Sequence, residues 1–353
     1  MNRRSRTTLK DVARAVGVDV STVSRALNPD SRHRVSGALS KKIRKASERL
    51  KYLPNAAASS LRTLRTRTIG VIVPDIADPA YPPIIRGIED GLAAHGYVAI
   101  LANTDGDARR QQRIVETMRA RAVDGLILAT VAREEPALAR LPMPVVTVVR
   151  ASDDERVSSV VHNEEDGIRR ILMHLVSYGH RAIAAIAGPQ ALSTGYRRYR
   201  SFTLHRKLLG IGKAKPNAVF ANAFNETEGE RCAEELLARR HPFTALVCAN
   251  DRLAVGAIAV LRRHGLRCPE DVSVTGYNDM PLADRLSPAL TTVRVQHQKG
   301  GLESAELLME MMREQGGQPR HIVLPVEIVI RGSTRRNPQE AAPRSRGENL
   351  LTA

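Results

Sequence analysis

The sequence predicts two folds in one chain: a small all-α helix-turn-helix domain at the N-terminus and a larger two-lobed α/β domain with parallel sheets. The chain has 353 residues, more than one ordinary core accommodates. Short amphipathic helical patterns occupy the N-terminal segment. From Thr68 onward, continuous apolar runs alternate with helical patterns, as they do in α/β proteins. Length and the change of pattern together predict at least two domains.

The positive charge is concentrated in the N-terminal segment. Residues 1–67 carry 17 Lys and Arg against 4 Asp and Glu, whereas the rest of the chain carries 37 against 33. A basic module joined to a nearly neutral body is typical of a protein that binds the phosphates of nucleic acid. A solvated basic arm would show the same charge, so the residue pattern within the module has to distinguish the two.

The segment from Thr8 to Asn28 has the pattern of two short helices joined by a turn. The first helix begins after Thr8 and ends at Gly17, and the second begins after Asp19. This arrangement is the geometry of a helix-turn-helix, whose second helix enters the major groove of DNA. The outward side chains of that helix are Val20, Ser21, Thr22 and Arg25. A third amphipathic helix is predicted from Ser36 to about Leu50.

The segment from Thr68 to Thr334 alternates strand and helix patterns. Eight apolar runs have the pattern of strands: TIGVIVPDI, GYVAILANT, VDGLILAT, PVVTVVR, RAIAAIAGP, TALVCAND, VSVTGYND and LTTVRV. Amphipathic patterns such as Pro83–His95 and Glu228–Arg240 lie between them. Apolar strands separated by helices indicate parallel sheets that are covered on both faces. So many units predict two sheets and therefore two lobes, with ligands bound at the turns after the strands.

Two strings in the basic module, TLKDVARAVGVDVSTVSRALN and RVSGALSKKIRKASERLKYLPNAAASSLRT, resemble the lactose/galactose-repressor family of bacterial transcription regulators. The resemblance continues through YGHRAIAAIAGP, CANDRLAVGAIAVLRRHGL and VSVTGYNDMPLADRLSPALTTV, and it covers residues 7–334. Through this family, the larger domain is similar to the periplasmic sugar-binding proteins. The resemblance implies a helix-turn-helix domain at 1–53, a hinge helix and linker at 54–67, and a two-lobed effector-binding and dimerisation domain at 68–334. The polar residues 335–353 are predicted to form a disordered tail.

The resemblance also implies how the helix-turn-helix contacts DNA. Val20, Ser21 and Arg25 would meet base edges. The phosphate contacts would come largely from Thr8, Thr22, Ser24 and Asn28. Arginine is the best bidentate partner for guanine, and small hydroxyls donate readily to phosphate oxygens, so these residue types suit the implied contacts.

A short segment after Pro54 has the composition of a marginal helix. Asn55 can cap it, but seven residues from Ala56 to Arg62 are fewer than the ~12–15 that a helix needs for marginal stability alone in water. The resemblance implies that this hinge helix folds against its dimer mate in the minor groove, with Leu61 wedged into a base step, Ala58 beside it and Asn55 as a further DNA-binding residue. A plain polar linker is the alternative.

For the larger domain, the resemblance implies a cleft between the lobes whose closure moves the hinge helices. The implied effector-binding residues are Asp75, Tyr81, Arg150, Arg198, Phe224, Asn250 and Asn278. Their amide, guanidinium and aromatic groups suit a polar ligand. Core packing is the alternative for Tyr81 and Phe224, and an ion pair between the lobes is the alternative for Arg150. Asp251 is predicted to cap the helix that begins at Arg252.

Catalytic and metal-binding motifs are missing from the sequence. There is no GxSxG, HExxH or GxGxxG, and GPQALSTGY lacks the Lys-Ser/Thr of a phosphate loop. The 10 histidines show no metal-ligand spacing. The 3 cysteines show no CxxC spacing, which favours reduced thiols. We therefore expect a protein that is not an enzyme and that uses no cofactor and no metal.

The sequence also predicts a cytoplasmic protein without a membrane partner. No apolar run reaches the roughly 18 residues of a spanning helix, and no apolar region follows the basic N-terminus as in a secretory signal. A transport-type solute-binding protein would not explain the basic module. An architectural DNA binder would not explain the two-lobed domain.

Together these features predict a sequence-specific transcriptional repressor under allosteric control. Because a symmetric dimer presents two reading heads, we expect a homodimer on a palindromic operator in double-stranded DNA. The predicted effector is a small polar metabolite, namely a sugar or a derivative such as a sugar acid or sugar phosphate, with a nucleobase as the alternative.

The hinge hypothesis leads to a prediction about Leu61. The substitution Leu61→Ala removes the proposed wedge, so it should weaken operator binding severely while leaving effector affinity of the isolated larger domain unchanged. Gel-shift titration and calorimetry measure the two quantities. Unaltered operator binding would contradict the wedge.

Overall fold

The computed structural model describes residues 7–27, 35–52, 65–211, 216–314 and 317–338. They belong to two compact units, Met1–Thr66 and Arg67–Ala353, and each unit has its own core. The helix-turn-helix and the two-lobed α/β domain predicted from sequence are both present. The predicted hinge helix lies outside the described residues.

The described residues of the N-terminal unit form three helices: α1 (Leu9–Val16), α2 (Val20–Leu27) and α3 (Gly37–Arg49). The backbone N–H of Thr8 donates to the Asp11 carboxylate at 2.9 Å, which fixes the start of α1. Gly17 ends α1 in the left-handed region at φ 76°, where a residue without Cβ is unstrained. One fully buried side chain from each helix, Val12, Val23 and Ile43, forms the centre of the core. This packing orients α2 so that its polar face is exposed to solvent.

The first lobe of the larger unit is a six-stranded parallel sheet in the order β11-β5-β4-β3-β1-β2. Its strands are β1 (Thr68–Val73), β2 (Val98–Asn103), β3 (Gly125–Leu128), β4 (Val145–Val148), β5 (Ser158–His162) and β11 (His321–Leu324). Its helices are α4 (Tyr81–Ala94), α5 (Ala108–Ala120) and α10 (His297–Glu314). The strand order reverses beside β1, so the loops after β1 and β4 lie at an edge where open α/β sheets bind ligands.

The second lobe is a four-stranded parallel sheet in the order β7-β6-β8-β9. Its strands are β6 (Ile183–Ala187), β7 (Ala218–Phe220), β8 (Ala245–Cys248) and β9 (Ser273–Thr275). Its helices are α6 (Glu164–Ser177), α7 (Ser193–Leu208), α8 (Glu226–Ala238) and α9 (Asp251–Arg263). The antiparallel pair β10 (Thr292–Arg294) and β12 (Glu327–Val329) lies where the chain passes between the lobes.

The first residues of the predicted tail are bonded to the second lobe. The N–H of Arg335 donates to the Ser273 hydroxyl at 3.1 Å. The N–H of Asn337 donates to the Tyr178 carbonyl at 2.8 Å, and its side chain donates to the carbonyl of Gly179. Because these bonds satisfy carbonyls at the end of α6, the chain follows the second lobe as far as Pro338. The remainder of the predicted tail lies outside the described residues.

Helices α4 and α10 touch backbone to backbone, which requires glycine at the contact. A Cβ built at Gly301 would lie 2.0 Å from the carbonyl oxygen of Ile84, and one at Gly87 would lie 1.9 Å from that of Gln298. The adjacent Gly300 has room, because its Cβ would meet nothing closer than 3.7 Å. This contact holds α10 on the first-lobe sheet, and α10 carries one wall of the cleft described below.

We expect Gly301→Ala to lower the free energy of unfolding by about 1–3 kcal/mol, since backbone must move to admit the methyl group. The matched control Gly300→Ala should be neutral or stabilising by up to about 1 kcal/mol, because alanine favours a helix. Chemical denaturation of both variants gives the comparison. Equal stability of the two variants would show that the helices can separate without cost.

Candidate functional site

A narrow cleft with a volume of about 40 Å³ lies between the two lobes. Its lining comes from both lobes and is formed by Asp78, Ala80, Tyr81, Ile84, Val149, Arg150, Thr194, Arg198, Phe224, Asn250, Asn278 and His297. Six of the seven predicted effector residues are among them, namely Tyr81, Arg150, Arg198, Phe224, Asn250 and Asn278.

Asp75 is the predicted effector residue that the structure does not bring to the cleft. Its carboxylate accepts a hydrogen bond from the N–H of Ala77 at 2.9 Å, and its carbonyl accepts one from Asp78. These bonds close the turn after β1, and the turn presents Asp78 to the cleft instead of Asp75. Asp75 therefore shapes the loop, and Asp78 is the carboxylate at the cleft wall.

Arg198 lies at the floor of the cleft and is only 5% exposed. One of its terminal nitrogens donates to the Ala249 carbonyl at 2.7 Å, and its guanidinium lies 3.7 Å from the centre of the Tyr277 ring. The Glu164 carboxylate is 4.0 Å away, too far for a hydrogen bond. Burial raises the pKa of Glu164 to about 7, and the nearby Arg198 charge opposes that shift.

Several buried polar atoms around the cleft have no hydrogen-bond partner among the described residues. Within the lining these atoms are Thr194 Oγ1, Arg198 Nε and both ring nitrogens of His297. Below the lining, His162 Nε2 and the Tyr277 hydroxyl are in the same situation. An unsatisfied buried group costs roughly 1–3 kcal/mol, so the unpartnered atoms within the lining favour occupation of the cleft by a polar molecule that can pair with them.

The two histidines at the cleft are neutral at neutral pH. Their rings meet edge to face with centroids 6.0 Å apart. Burial lowers the pKa of His162 to about 4 and that of His297 to about 3, and the charge of Arg198 acts in the same direction. Each neutral imidazole offers one donor and one acceptor, so His297 can bond a hydroxyl group in either sense.

Asn250 has a structural role in addition to its position in the cleft. Its side-chain oxygen accepts a hydrogen bond from the N–H of Leu253 at 2.9 Å, so Asn250 caps α9. The prediction that Asp251 provides this cap is wrong. The Asp251 carboxylate accepts from the Met280 N–H at 2.7 Å and from the Thr292 hydroxyl. It thereby ties α9 to β10 and to the loop that carries Asn278.

The exposed face of α2 carries the residues predicted to meet DNA bases. Ser21 and Arg25 are exposed, and Val20 is half-buried. Arg25 donates to the Ser21 hydroxyl at 3.0 Å, so the two side chains act from one patch. The Asp19 carboxylate accepts from the Ser21 N–H at 2.7 Å and caps α2. Hydrogen bonds with Ser21 lower the pKa of Asp19.

The predicted phosphate contacts are only partly within the described chain. Thr8 is exposed at the start of α1, and Thr22 and Ser24 are half-buried on α2. Four further predicted DNA-contacting residues lie outside the described residues: Asn28, Asn55, Ala58 and Leu61. Helix α3 adds exposed cations, Lys41, Lys42, Arg44 and Lys45, which enlarge the positive surface of this unit.

Comparison with known proteins agrees with this division. Residues 8–55 match the bacterial regulatory proteins of the lacI family, and residues 172–334 match the periplasmic binding protein-like domain. The chain is 30% identical to the transcriptional repressor PurR of Aliivibrio salmonicida, with 92% of this chain and 98% of the relative aligned. It is 31% identical to the repressor CytR of Escherichia coli K12, with 94% and 97% aligned. The chain belongs to the lacI family of bacterial regulators.

Solved structures of the lacI family show the same fold. The lac repressor dimer bound to operator and the anti-inducer ONPF superposes with a TM-score of 0.83 at 27% identity, covering 94% of this chain and 100% of that one. The transcriptional regulator CelR in complex with cellobiose has a TM-score of 0.71 at 30% identity, covering 93% and 100%.

The predictions of a transcriptional regulator and not an enzyme are confirmed. None of the helices described here is both long and apolar enough to span a membrane.

Three polar residues at the cleft of this lacI-family protein were not predicted from sequence. Thr194 follows β6 at the reversal of strand order in the second lobe, so the topological rule for ligand sites points to its loop. Asp78 lies in the same loop as the predicted Asp75. His297 begins α10 after the chain has crossed from one lobe to the other, and no local pattern in the sequence signals that position.

The lobes are joined by direct bonds on two sides of the cleft. On one side, Arg252 of the second lobe lies 3.3 Å from the Asp78 carboxylate of the first, and it also forms a bidentate pair with Glu226. On the other side, the Arg133 N–H donates to the Ala191 carbonyl at 2.9 Å, and the Arg133 guanidinium lies 3.6 Å from the centre of the Tyr196 ring. These bonds hold the lobes in a closed arrangement.

Arg252→Gln should loosen the loop that contains Asp78, because the ion pair between the lobes is lost while the rest of α9 is retained. A partly exposed pair of this kind contributes roughly 0.5–1 kcal/mol, so amides of residues 76–81 should exchange about two- to fivefold faster. Hydrogen-exchange mass spectrometry measures this. Arg267→Gln, which breaks an ion pair within the second lobe, is the control. Unchanged exchange in Arg252→Gln would show that the pair does not hold the loop.

Proposed function

We propose that this lacI-family protein is a cytoplasmic, homodimeric repressor whose operator affinity is set by a small polar metabolite in the cleft. The observation that carries the proposal is the cleft itself. It places unpartnered buried polar atoms between two lobes of a chain that also carries a helix-turn-helix. The effector class proposed is a sugar or a sugar derivative.

The polar face of α2 supports its role in reading DNA. On the proposal, Arg25, Ser21 and Val20 meet base edges in the major groove. Phosphate contacts come from Thr8, Thr22, Ser24 and Asn28. The residues proposed to act in the minor groove are Asn55, Ala58 and Leu61. Phosphate contacts give salt-dependent affinity, and base contacts give the choice of sequence.

An exposed apolar edge supports the homodimer. Strand β2 is the edge strand of the first-lobe sheet, and three of its apolar side chains are exposed: Val98, Ile100 and Leu101. Val98 is 67% exposed, and Leu282 of the second lobe is 68% exposed. Edge strands with apolar side chains are association surfaces unless they are covered. The lac repressor structure is described as a dimer bound to operator, which agrees with this arrangement.

The composition of the cleft supports a sugar-like effector. Phe224 and Tyr81 provide aromatic surface, and the Asn278 and Asn250 amides, His297 and Thr194 provide donors and acceptors for hydroxyl groups. Among the structural neighbours, CelR is described in complex with cellobiose, and a lacI-family regulator from Enterococcus faecium is described with bound ribose. A nucleobase would use the aromatic surface but fewer of the scattered polar atoms.

Control of DNA binding follows from the two-lobed architecture. The proposed domains are the reading head at 1–53, the hinge at 54–67 and the sensor at 68–334. An effector that prefers one arrangement of the lobes biases the ordering of the two hinge segments in a dimer. A coupling of about 1–3 kcal/mol changes operator affinity roughly 5- to 150-fold, which is sufficient for a genetic switch.

Selection from a random duplex library tests the DNA-binding part of the proposal. The full-length protein should recover one palindrome, and a variant without residues 1–67 should recover none. Arg25→Gln should weaken binding to that palindrome by roughly 5- to 150-fold, since a bidentate base contact contributes about 1–3 kcal/mol.

The matched control is Arg14→Gln on the neighbouring helix α1, because the Arg14 side chain is 83% exposed and lies on the same unit. Its affinity should change less than twofold. Recovery of no consensus, with binding that falls uniformly as salt rises, would contradict a specific regulator. It would leave the basic unit as a general anchor on DNA.

A further inference from the structure

The lining of the cleft carries an excess of positive charge. Two guanidinium groups line it, Arg150 from the first lobe and Arg198 from the second. Asp78 is the one carboxylate in the described lining. Burial raises the pKa of the Tyr81 hydroxyl, the charges of Arg150 and Arg198 oppose that rise, and the charges of Asp78 and Asp75 add to it. Cations from both lobes therefore line the same cleft.

Asp78 does not neutralise either of these arginines. Its carboxylate accepts from the N–H of Ala80 at 2.9 Å and lies 3.3 Å from Arg252, which is outside the lining. The negative charge of Asp78 thus pairs with Arg252 and helps to hold the two lobes together. The excess positive charge inside the cleft remains.

Arg198 is only partly neutralised by its surroundings. Glu164 lies 4.0 Å away, and the raised pKa of its carboxyl means that it is protonated in part of the population at neutral pH. The Ala249 carbonyl takes one N–H of the guanidinium, and the buried Nε has no acceptor among the described residues. A buried cation with an unused donor favours an anionic partner.

Arg150 has no carboxylate of its own. Within the described chain its guanidinium forms no ion pair and no hydrogen bond, whereas Arg133 and Arg294 each pair with an aspartate. Arg150 follows β4, so it projects from the carboxyl edge of the first-lobe sheet, where ligands bind. The ion pair between the lobes, which was the alternative for Arg150, belongs instead to Arg252.

Thr194 adds a third donor beside the two arginines. It lies in the first turn of the 16-residue helix α7 and is 3% exposed. Its buried hydroxyl has no hydrogen-bond partner in the described chain. Backbone N–H groups at a helix start favour negative charge. A buried hydroxyl, a helix start and two guanidiniums at one cleft form a set of donors that suits an oxyanion.

We propose that the effector carries an anionic group, a carboxylate or a phosphate, held between Arg150 and Arg198 on a hydroxyl-rich body. The effector is thus a sugar acid or a sugar phosphate and not a neutral sugar. This inference rests on the proposed function in that the cleft is taken as the effector site. The polar amides and the neutral His297 then bind the hydroxyl groups.

Calorimetry on the full-length protein tests the inference with paired probes. The anionic probes are D-gluconate and D-glucuronate as carboxylates, and glucose 6-phosphate and ribose 5-phosphate as phosphates. D-glucose and D-ribose are the neutral counterparts. At least one anionic probe should bind at least tenfold more tightly than its neutral counterpart. Whether the carboxylates or the phosphates bind identifies the anionic group.

Arg150→Gln should weaken the anionic probe by about 10- to 100-fold, since a hydrogen bond to a charged group is lost. Its effect on the neutral counterpart should be less than twofold. Arg156→Gln is the matched control, because Arg156 is 66% exposed and pairs with Asp154 on the same lobe. Arg150 has no partner to lose in the described chain, so the variant is expected to fold, and a thermal-denaturation scan checks this.

Three outcomes of the binding assays overturn the inference. They are failure of all four anionic probes to bind, equal affinity for the neutral counterparts, and equal weakening of both probe classes in Arg150→Gln. A neutral sugar that binds and shifts operator affinity would overturn the inference and leave the proposed function intact. An anionic probe that binds without shifting operator affinity would support the anion site and contradict its role as the regulatory site.

Discussion

The burial of Arg198 is the constraint around which the sensor domain is arranged. A guanidinium that is 5% exposed needs several partners, and they come from separate elements of the second lobe. The Ala249 carbonyl follows β8, the Tyr277 ring follows β9, and Glu164 begins α6. Because these partners converge only when the second-lobe sheet is formed, folding of that lobe and assembly of the cleft floor are the same event.

A second buried charge connects that floor to the other lobe. Asp251 is 1% exposed, and burial raises its pKa to about 6 even though two donors point at it. Its bonds reach Met280 in the loop after β9 and Thr292 in the crossing strand β10. The chain then continues into α10, which begins at His297 on the cleft wall. The chain and these bonds therefore link α10 through β10 to the loop that carries Asn278.

Fold class was predictable because it depends on features that repeat along the chain. Helical spacing, apolar strands and a charge imbalance each involve many residues, so local exceptions do not change the result. Strands β5 and β11 escaped the apolar pattern for a physical reason. Ser158 and Ser159 of β5 are buried, and their hydroxyls bond the N–H of Arg320 and the ring of His321, respectively. In the sequence alone, serines whose hydrogen-bond partners lie so far away along the chain have the pattern of loop residues.

The cleft was predictable at the level of loops and less so at the level of atoms. Carboxyl ends of parallel strands identify the loop after β1, but turn geometry decides that Asp78 and not Asp75 faces the cleft. The cap of α9 comes from Asn250 and not from the predicted Asp251 for a similar reason. The cap at the start of α9 needs an oxygen that can reach the Leu253 N–H, and the side chain of Asn250 does so while that of Asp251 points toward β10. Such choices depend on the backbone geometry of the turn, which residue spacing does not specify.

Charge and closure in the cleft have opposite demands, and this opposition can drive the switch. The Arg252–Asp78 pair favours closed lobes, yet closure brings the guanidiniums of Arg150 and Arg198 to one cleft. In an open arrangement water would separate Arg150 from Arg198, which stays packed in the second lobe, and their repulsion would be weaker. An anion between them removes the repulsion only in the closed arrangement, so it binds that arrangement more tightly. A ligand shifts the equilibrium between open and closed lobes only through a difference in its affinity for the two arrangements. A neutral sugar would lack the part of that difference that comes from the anionic charge.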